Sequence, residues 1–114
     1  MLGFDIDDTG PTYGYQLARD NEVEEHCAFR QGGFEVLTRY DGPFGVVLAN
    51  IYSDVIQAEA KNLRMRLAPD GWFAFSGCPL HNVDATRKAI VDAGLHIEEE
   101  RRLGRWMTFV GGVA

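Results

Sequence analysis

The stretch Phe44–Ile51, Phe-Gly-Val-Val-Leu-Ala-Asn-Ile, restricts what this chain can fold into more than any other part of the sequence. It runs apolar and β-branched from Val46 to Ala49, then meets one polar residue, Asn50. A short unbroken apolar run of this kind predicts a strand buried on both faces, as in a parallel sheet covered by helices. A helix-like stretch follows, and then a second apolar run, Trp72 to Phe75, which also ends on a polar residue, Ser76. Two such strands suggest a site at the carboxyl edge of an open α/β sheet, where ligands bind in these folds.

The flanking segments extend this pattern. Leu2 to Ile6 predicts a short strand running into an acidic cluster of Asp5, Asp7 and Asp8. A helix is expected from near Pro11, with Thr9 or Gly10 as cap, Tyr13 and Leu17 on one face, and Asn21 as a left-handed stop. Gly14 weakens that helix by about 1 kcal/mol relative to alanine. Cys27 to Gln31 reads as a strand followed by Gly32-Gly33, and Tyr40-Asp41-Gly42-Pro43 as a turn. The next helix starts after Ser53 as N-cap and presents Ile56, Ala60, Leu63 and Leu67 at a 3.6-residue period. Pro69-Asp70-Gly71 ends it.

A third helix is expected from about Asn82 to Ala93, with Val83, Arg87, Ile90 and Val91 setting its period and Gly94 closing it. Ile97 to Arg102 is charged enough for an edge or near-edge strand. The short turn Leu103-Gly104-Arg105 makes its partner, Trp106 to Val110, antiparallel. The expected fold is α/β, with parallel βαβ units followed by a helix and a closing hairpin.

A length of 114 residues gives one domain, 1–114, large enough for a real core. With 46% hydrophobic and 25% charged residues, the composition is that of a soluble globular protein. No apolar run approaches the roughly 20 residues of a membrane span. A net charge of -6 argues against broad nucleic-acid binding. Two cysteines, Cys27 and Cys78, are too few for a disulfide framework, so free thiols in a reducing cytoplasm are expected.

Several residues have a functional and a structural reading side by side. Asp5, at a strand end, reads as an acceptor for the two hydroxyls of a ribose or as a solvated turn carboxylate. Asn50 offers a donor and an acceptor to a ligand, or serves as a helix-entry residue. Ser76 reads as an edge contact or a strand-end cap, and the aromatic pair Trp72 and Phe73 as core. Cys78 and His81 are spaced C-x-x-H but lack further metal ligands nearby, so no metal site is expected. Asp5-Ile6-Asp7-Asp8-Thr9 also fits D-x-D-x-T, the opening signature of magnesium-dependent haloacid-dehalogenase-type phosphatases, with Asp5 as nucleophile and Asp7 as acid/base. That chemistry needs a later strand-end acidic pair, and only Asp84 and Asp92, inside a helix pattern, follow. A non-catalytic module that pairs through exposed sheet edges is the third alternative.

Taken together, the segments resemble the class I S-adenosylmethionine-dependent methyltransferases, most like the family that methylates amino groups of a large-subunit ribosomal protein. The residues carrying the resemblance are Gly3-Phe4-Asp5-Ile6-Asp7, Asn21-Glu22-Val23, Val47-Leu48-Ala49-Asn50-Ile51, Leu67-Ala68-Pro69-Asp70-Gly71, Ser76-Gly77 and Ala93-Gly94-Leu95, with the final hairpin around Trp106. The resemblance implies a Rossmann-like class I methyltransferase sheet, S-adenosyl-L-methionine as cofactor and a protein substrate. Asp5 would hold the cofactor ribose with Ile6 beside it, Gly32 and Gly33 would border the adenine, and Asn50 would stand beside the methionine part and the methyl donor, as both a cofactor-binding and the catalytic residue. Gly33 occupies the place where the family usually has an acidic residue. The family's first strand and glycine-rich loop would precede Leu2, so the chain is expected to match the C-terminal two-thirds of such an enzyme. Without that central strand, two half-sheets would be left to pair with each other directly or with another chain.

Overall fold

The computed structural model describes residues 1–114 as two compact units, Met1–Tyr40 and Asp41–Ala114. In the first, β1 (Leu2–Asp5) and β2 (Ala28–Gln31) pair in parallel, and α1 (Thr9–Asp20) connects them. The expected βαβ unit is therefore present. Its helix starts two residues before Pro11, and the residue before it, Asp8, makes no side-chain cap bond.

The packed face of α1 differs from the expected one. Tyr13 and Leu17 are exposed, and Ala18 is the helix's one buried residue. Gly10, Gly14 and Ala18 recur at i, i+4 and i+8, which brings them to a common face of a helix. A Cβ on Gly14 would stand 2.6 Å from the Phe29 ring of β2, and one on Gly10 would stand 2.8 Å from the Asp5 Cβ. Bare backbone is what allows the helix to lie this close to the strands.

Asn21 does not provide the left-handed stop. That conformation falls on Glu22, at φ 59°. The Glu22 amide donates to the Arg19 carbonyl at 3.0 Å and the Val23 amide to the Ala18 carbonyl at 2.9 Å. These paired bonds form a Schellman ending. Asn21 acts through its side chain instead, donating from Nδ2 to the Leu17 carbonyl at 2.8 Å.

The second unit holds a four-stranded sheet of β3 (Phe44–Asn50), β4 (Leu67–Pro79), β5 (Leu95–Leu103) and β6 (Trp106–Val113), in the order β3-β4-β6-β5. β3 and β4 are parallel, connected by α2 (Ser53–Arg66). β6 runs antiparallel to both β4 and β5, and α3 (Val83–Asp92) precedes β5. The α/β class, the parallel βαβ unit and the closing hairpin are as expected. α2 ends at Arg66, so Leu67 belongs to β4; residues 68–71 then bulge from the ladder between the pairs Phe44–Leu67 and Val46–Trp72.

The helical face of the sheet forms the core. Phe73, Phe75 and Phe109 are fully buried, with Ile56 of α2, Ile90 of α3 and Leu95 of β5. The Phe73 and Phe75 rings stack with centroids 4.4 Å apart. On α3 the buried face is Val83, Thr86 and Ile90, whereas Val91 is exposed and Arg87 reaches out to Glu100. Gly94 ends α3 with φ 90°, as its position predicts.

β3 corrects the opening expectation. It lies at an edge of its sheet, with Val46 and Leu48 45% and 69% exposed. Trp72, paired with Val46 on the neighbouring strand, is 48% exposed rather than core. One face of β3 is therefore covered and the other is open.

Candidate functional site

The carboxyl ends of β1 and β2 coincide because the strands are parallel and Asp5 pairs with Gln31. Asp5 turns the chain toward α1 by accepting the Asp7 amide on Oδ1 at 3.0 Å. Asp7 repeats the device, accepting the Thr9 amide at 3.0 Å and the Thr9 hydroxyl at 2.8 Å. Those two donors hold the Asp7 carboxyl below its ordinary range. The D-x-D-x-T pattern is thus a pair of successive side-chain turns, with Asp7 engaged by Thr9.

Gly32 and Gly33 join Asp5 at this rim. The Gly32 amide donates to the Asp5 carbonyl at 2.8 Å, with Gly32 at φ 141°. Gly33 donates its amide to Glu35 Oε1 at 2.8 Å, and that bond lowers the Glu35 pKa. Glu35 was not foreseen as part of the rim. Its signal was a carboxylate two residues after a glycine amide that needs a partner. Ile6 follows Asp5 and is 75% exposed. An open cleft of about 210 Å³ is lined by Gly3, Phe4, Asp5, Gly10, Pro11 and Phe29.

In the second unit, Asn50 ends β3 and pairs with Ser76 of β4. Asn50 is exposed, and Gly77, at φ 86°, leaves room for its side chain: a Cβ there would stand 2.7 Å from Asn50 Oδ1. Ser76 is neither a cap nor a free edge group, since its hydroxyl bonds the Thr108 hydroxyl at 3.0 Å across to β6. Ser53 was expected to cap α2, but Tyr52 holds the cap position. The buried Ser53 hydroxyl instead accepts Asn82 Nδ2 at 2.9 Å.

The structure therefore gathers Asp5, Ile6, Gly32 and Gly33 at one strand-end rim of the first unit, and Asn50 with Ser76 and Gly77 at a strand-end rim of the second. No group of three His, Cys, Asp or Glu side chains is placed to share a metal ion. Both cysteines are free thiols, Cys78 buried with Sγ 3.5 Å from the Thr86 hydroxyl and Cys27 half-buried. No helix is long and apolar enough to cross a membrane.

Residues 1–113 match the family described as ribosomal protein L11 methyltransferase. The chain is 28% identical to a protein of that name from Alkaliphilus oremlandii over 98% of its own length and 35% of that protein's. With the namesake from Thermus thermophilus it shares 30% identity over 97% of its length and 42% of the other's. It superposes on the crystal structure of the ribosomal protein L11 methylase from Lactobacillus delbrueckii subsp. bulgaricus with a TM-score of 0.84 and 25% identity, over 98% of this chain and 56% of that one. The chain thus spans 35% and 42% of the length of these curated relatives, less than the expected two-thirds. Nothing in these matches favours a phosphatase. On the family match across nearly every residue, the chain belongs to the ribosomal protein L11 methyltransferase family.

Proposed function

We propose that this chain carries cofactor-binding and acceptor-facing elements of an S-adenosylmethionine-dependent methyltransferase acting in the cytoplasm on an amino group of a ribosomal protein. The family match over residues 1–113 carries the reading. The exposed Asp5 and Asn50 at the carboxyl ends of parallel strands agree with it, since ligands of open α/β sheets bind there.

The chemistry of the first unit's rim fits the cofactor. Asp5 commits Oδ1 to the Asp7 amide and keeps Oδ2 for ribose hydroxyls. Glu35 is a carboxylate acceptor at this rim suited to the amine edge of an adenine, whereas the Gly32 and Gly33 amides are already bonded to the Asp5 carbonyl and to Glu35. Bound S-adenosylmethionine supplies a methyl group activated by its sulfonium. Asn50 would accept a hydrogen bond from the N–H of the acceptor amine on Oδ1 and so orient the nitrogen lone pair. The amine gives up its proton to water beforehand, and orientation then contributes most of the rate gain.

Calorimetric titration with S-adenosylhomocysteine tests the cofactor reading. Binding is expected, and Asp5→Ala should weaken it about tenfold or more, the worth of hydrogen bonds to a charged group. Absence of heat at millimolar ligand would remove the reading for this chain. Transfer of labelled methyl to purified ribosomal protein L11 tests the acceptor, and Asn50→Ala should depress transfer more than cofactor affinity.

A further inference from the structure

Asn82 stands in a position where asparagine commonly caps its own helix. It is the residue before α3, yet it makes no side-chain bond to that helix. Its carboxamide turns away and donates to the Ser53 hydroxyl, 29 positions earlier, at 2.9 Å. Ser53 is only 5% exposed, so this bond is sheltered from competing water. It opens α2, three residues after Asn50.

A second contact acts on the same short turn. Gly77, in the left-handed region, lies against the Asn50 side chain without a Cβ of its own. Asn50 is thus approached from β4 on one side, and the segment that follows it is fastened at Ser53. Gln57 of α2 donates to the Thr86 hydroxyl of α3 at 3.1 Å, a separate link one turn further from Asn50. That link shares no atom with the Asn82–Ser53 bond.

We infer that Asn82 is a positioning residue, which holds the Asn50–Ser53 turn through its bond to Ser53 and thereby fixes the direction of the Asn50 carboxamide. The inference deepens the methyltransferase reading and rests on it for the importance of Asn50, but the orientation itself requires no ligand. Asn82 need not touch substrate or cofactor; it acts through Ser53.

The side-chain amide signals of Asn50 in a nitrogen-15 spectrum of the whole chain provide the readout. Asn82→Ala and Ser53→Ala should each shift or broaden them, and the double variant should do no more than either single one. Asn82→Asp, whose carboxylate can accept from the Ser53 hydroxyl, should restore much of the wild-type position. Gln57→Ala, which cuts the neighbouring link, should leave the Asn50 signals in place while lowering thermal stability. Unmoved Asn50 signals in folded Asn82→Ala would overturn the inference. So would an equal movement in Gln57→Ala, which would mark a general loosening of the helices. Failure of S-adenosylhomocysteine to bind would count against the methyltransferase reading alone.

Discussion

A methyl group added at Gly14 would stand 2.6 Å from the Phe29 ring, and that ring is already confined. Tyr15 meets it edge-on with centroids 4.9 Å apart, and the bare backbone of Gly3 in β1 lies beside it. Gly14→Ala should therefore destabilise the first unit by about 1 kcal/mol. Overpacking costs about 1–3 kcal/mol, and the roughly 1 kcal/mol gained in helix propensity offsets only part of it at the middle of that range. Faster amide exchange in α1 and β2 would report the loss. Gly45→Ala is the control, because nothing lies within 4 Å of a Cβ there and alanine should add about 0.5 kcal/mol in a strand. The sequence made Gly14 look like a defect, since an amphipathic reading searches for large apolar residues. The face that packs here is made of small ones, whereas the face shared by Tyr13 and Leu17 is exposed.

Between elements, α3 and β5 are joined by a two-pronged ion pair. Arg87 reaches Glu100 with Nε at 2.9 Å and Nη2 at 2.8 Å. The guanidinium holds the Glu100 carboxyl below the ordinary glutamate value of 4.5. A depressed carboxylate contributes its stability above the unfolded value and loses it as pH falls through the folded one. Glu100→Gln should accordingly lower the melting temperature near neutrality, and the gap to wild type should close below pH 4.5. An unchanged gap in acid would separate the effect from this pair. Because the pair is partly exposed, the difference should be small and shrink further with added salt. Pattern alone revealed α3 through Val83, Ile90 and Gly94. It put Arg87 on the packed face, because period fixes which residues share a stripe but not which strand supplies a charge for one at its margin.

For the whole molecule, order within the sheet decides which side chains remain outside. The apolar content of Val46 to Ala49 predicts burial on both faces, yet β3 takes an edge and its outward side chains stay in solvent. Composition of one strand cannot report its place among others, whereas hairpin and βαβ connections can be read from the lengths between strands. Inward positions such as Phe75 should be costly to truncate: Phe75→Ala is expected to lose about 3–5 kcal/mol in urea unfolding followed by Trp fluorescence. Leu48 gives the opposite case. At 69% exposed, it forms with neighbouring Val46 and Trp72 an apolar patch of the kind that promotes association. Leu48→Lys should change folding stability by no more than about 0.5 kcal/mol, because little packing is lost at an exposed site. It should also reduce any concentration-dependent growth in sedimentation coefficient, since a lysine on an edge strand opposes strand-to-strand pairing. A folded variant that associates as strongly as wild type would show that this edge does not drive assembly. A large drop in stability would instead mean that the Leu48 side chain is packed in solution, which its exposure in the structure forbids.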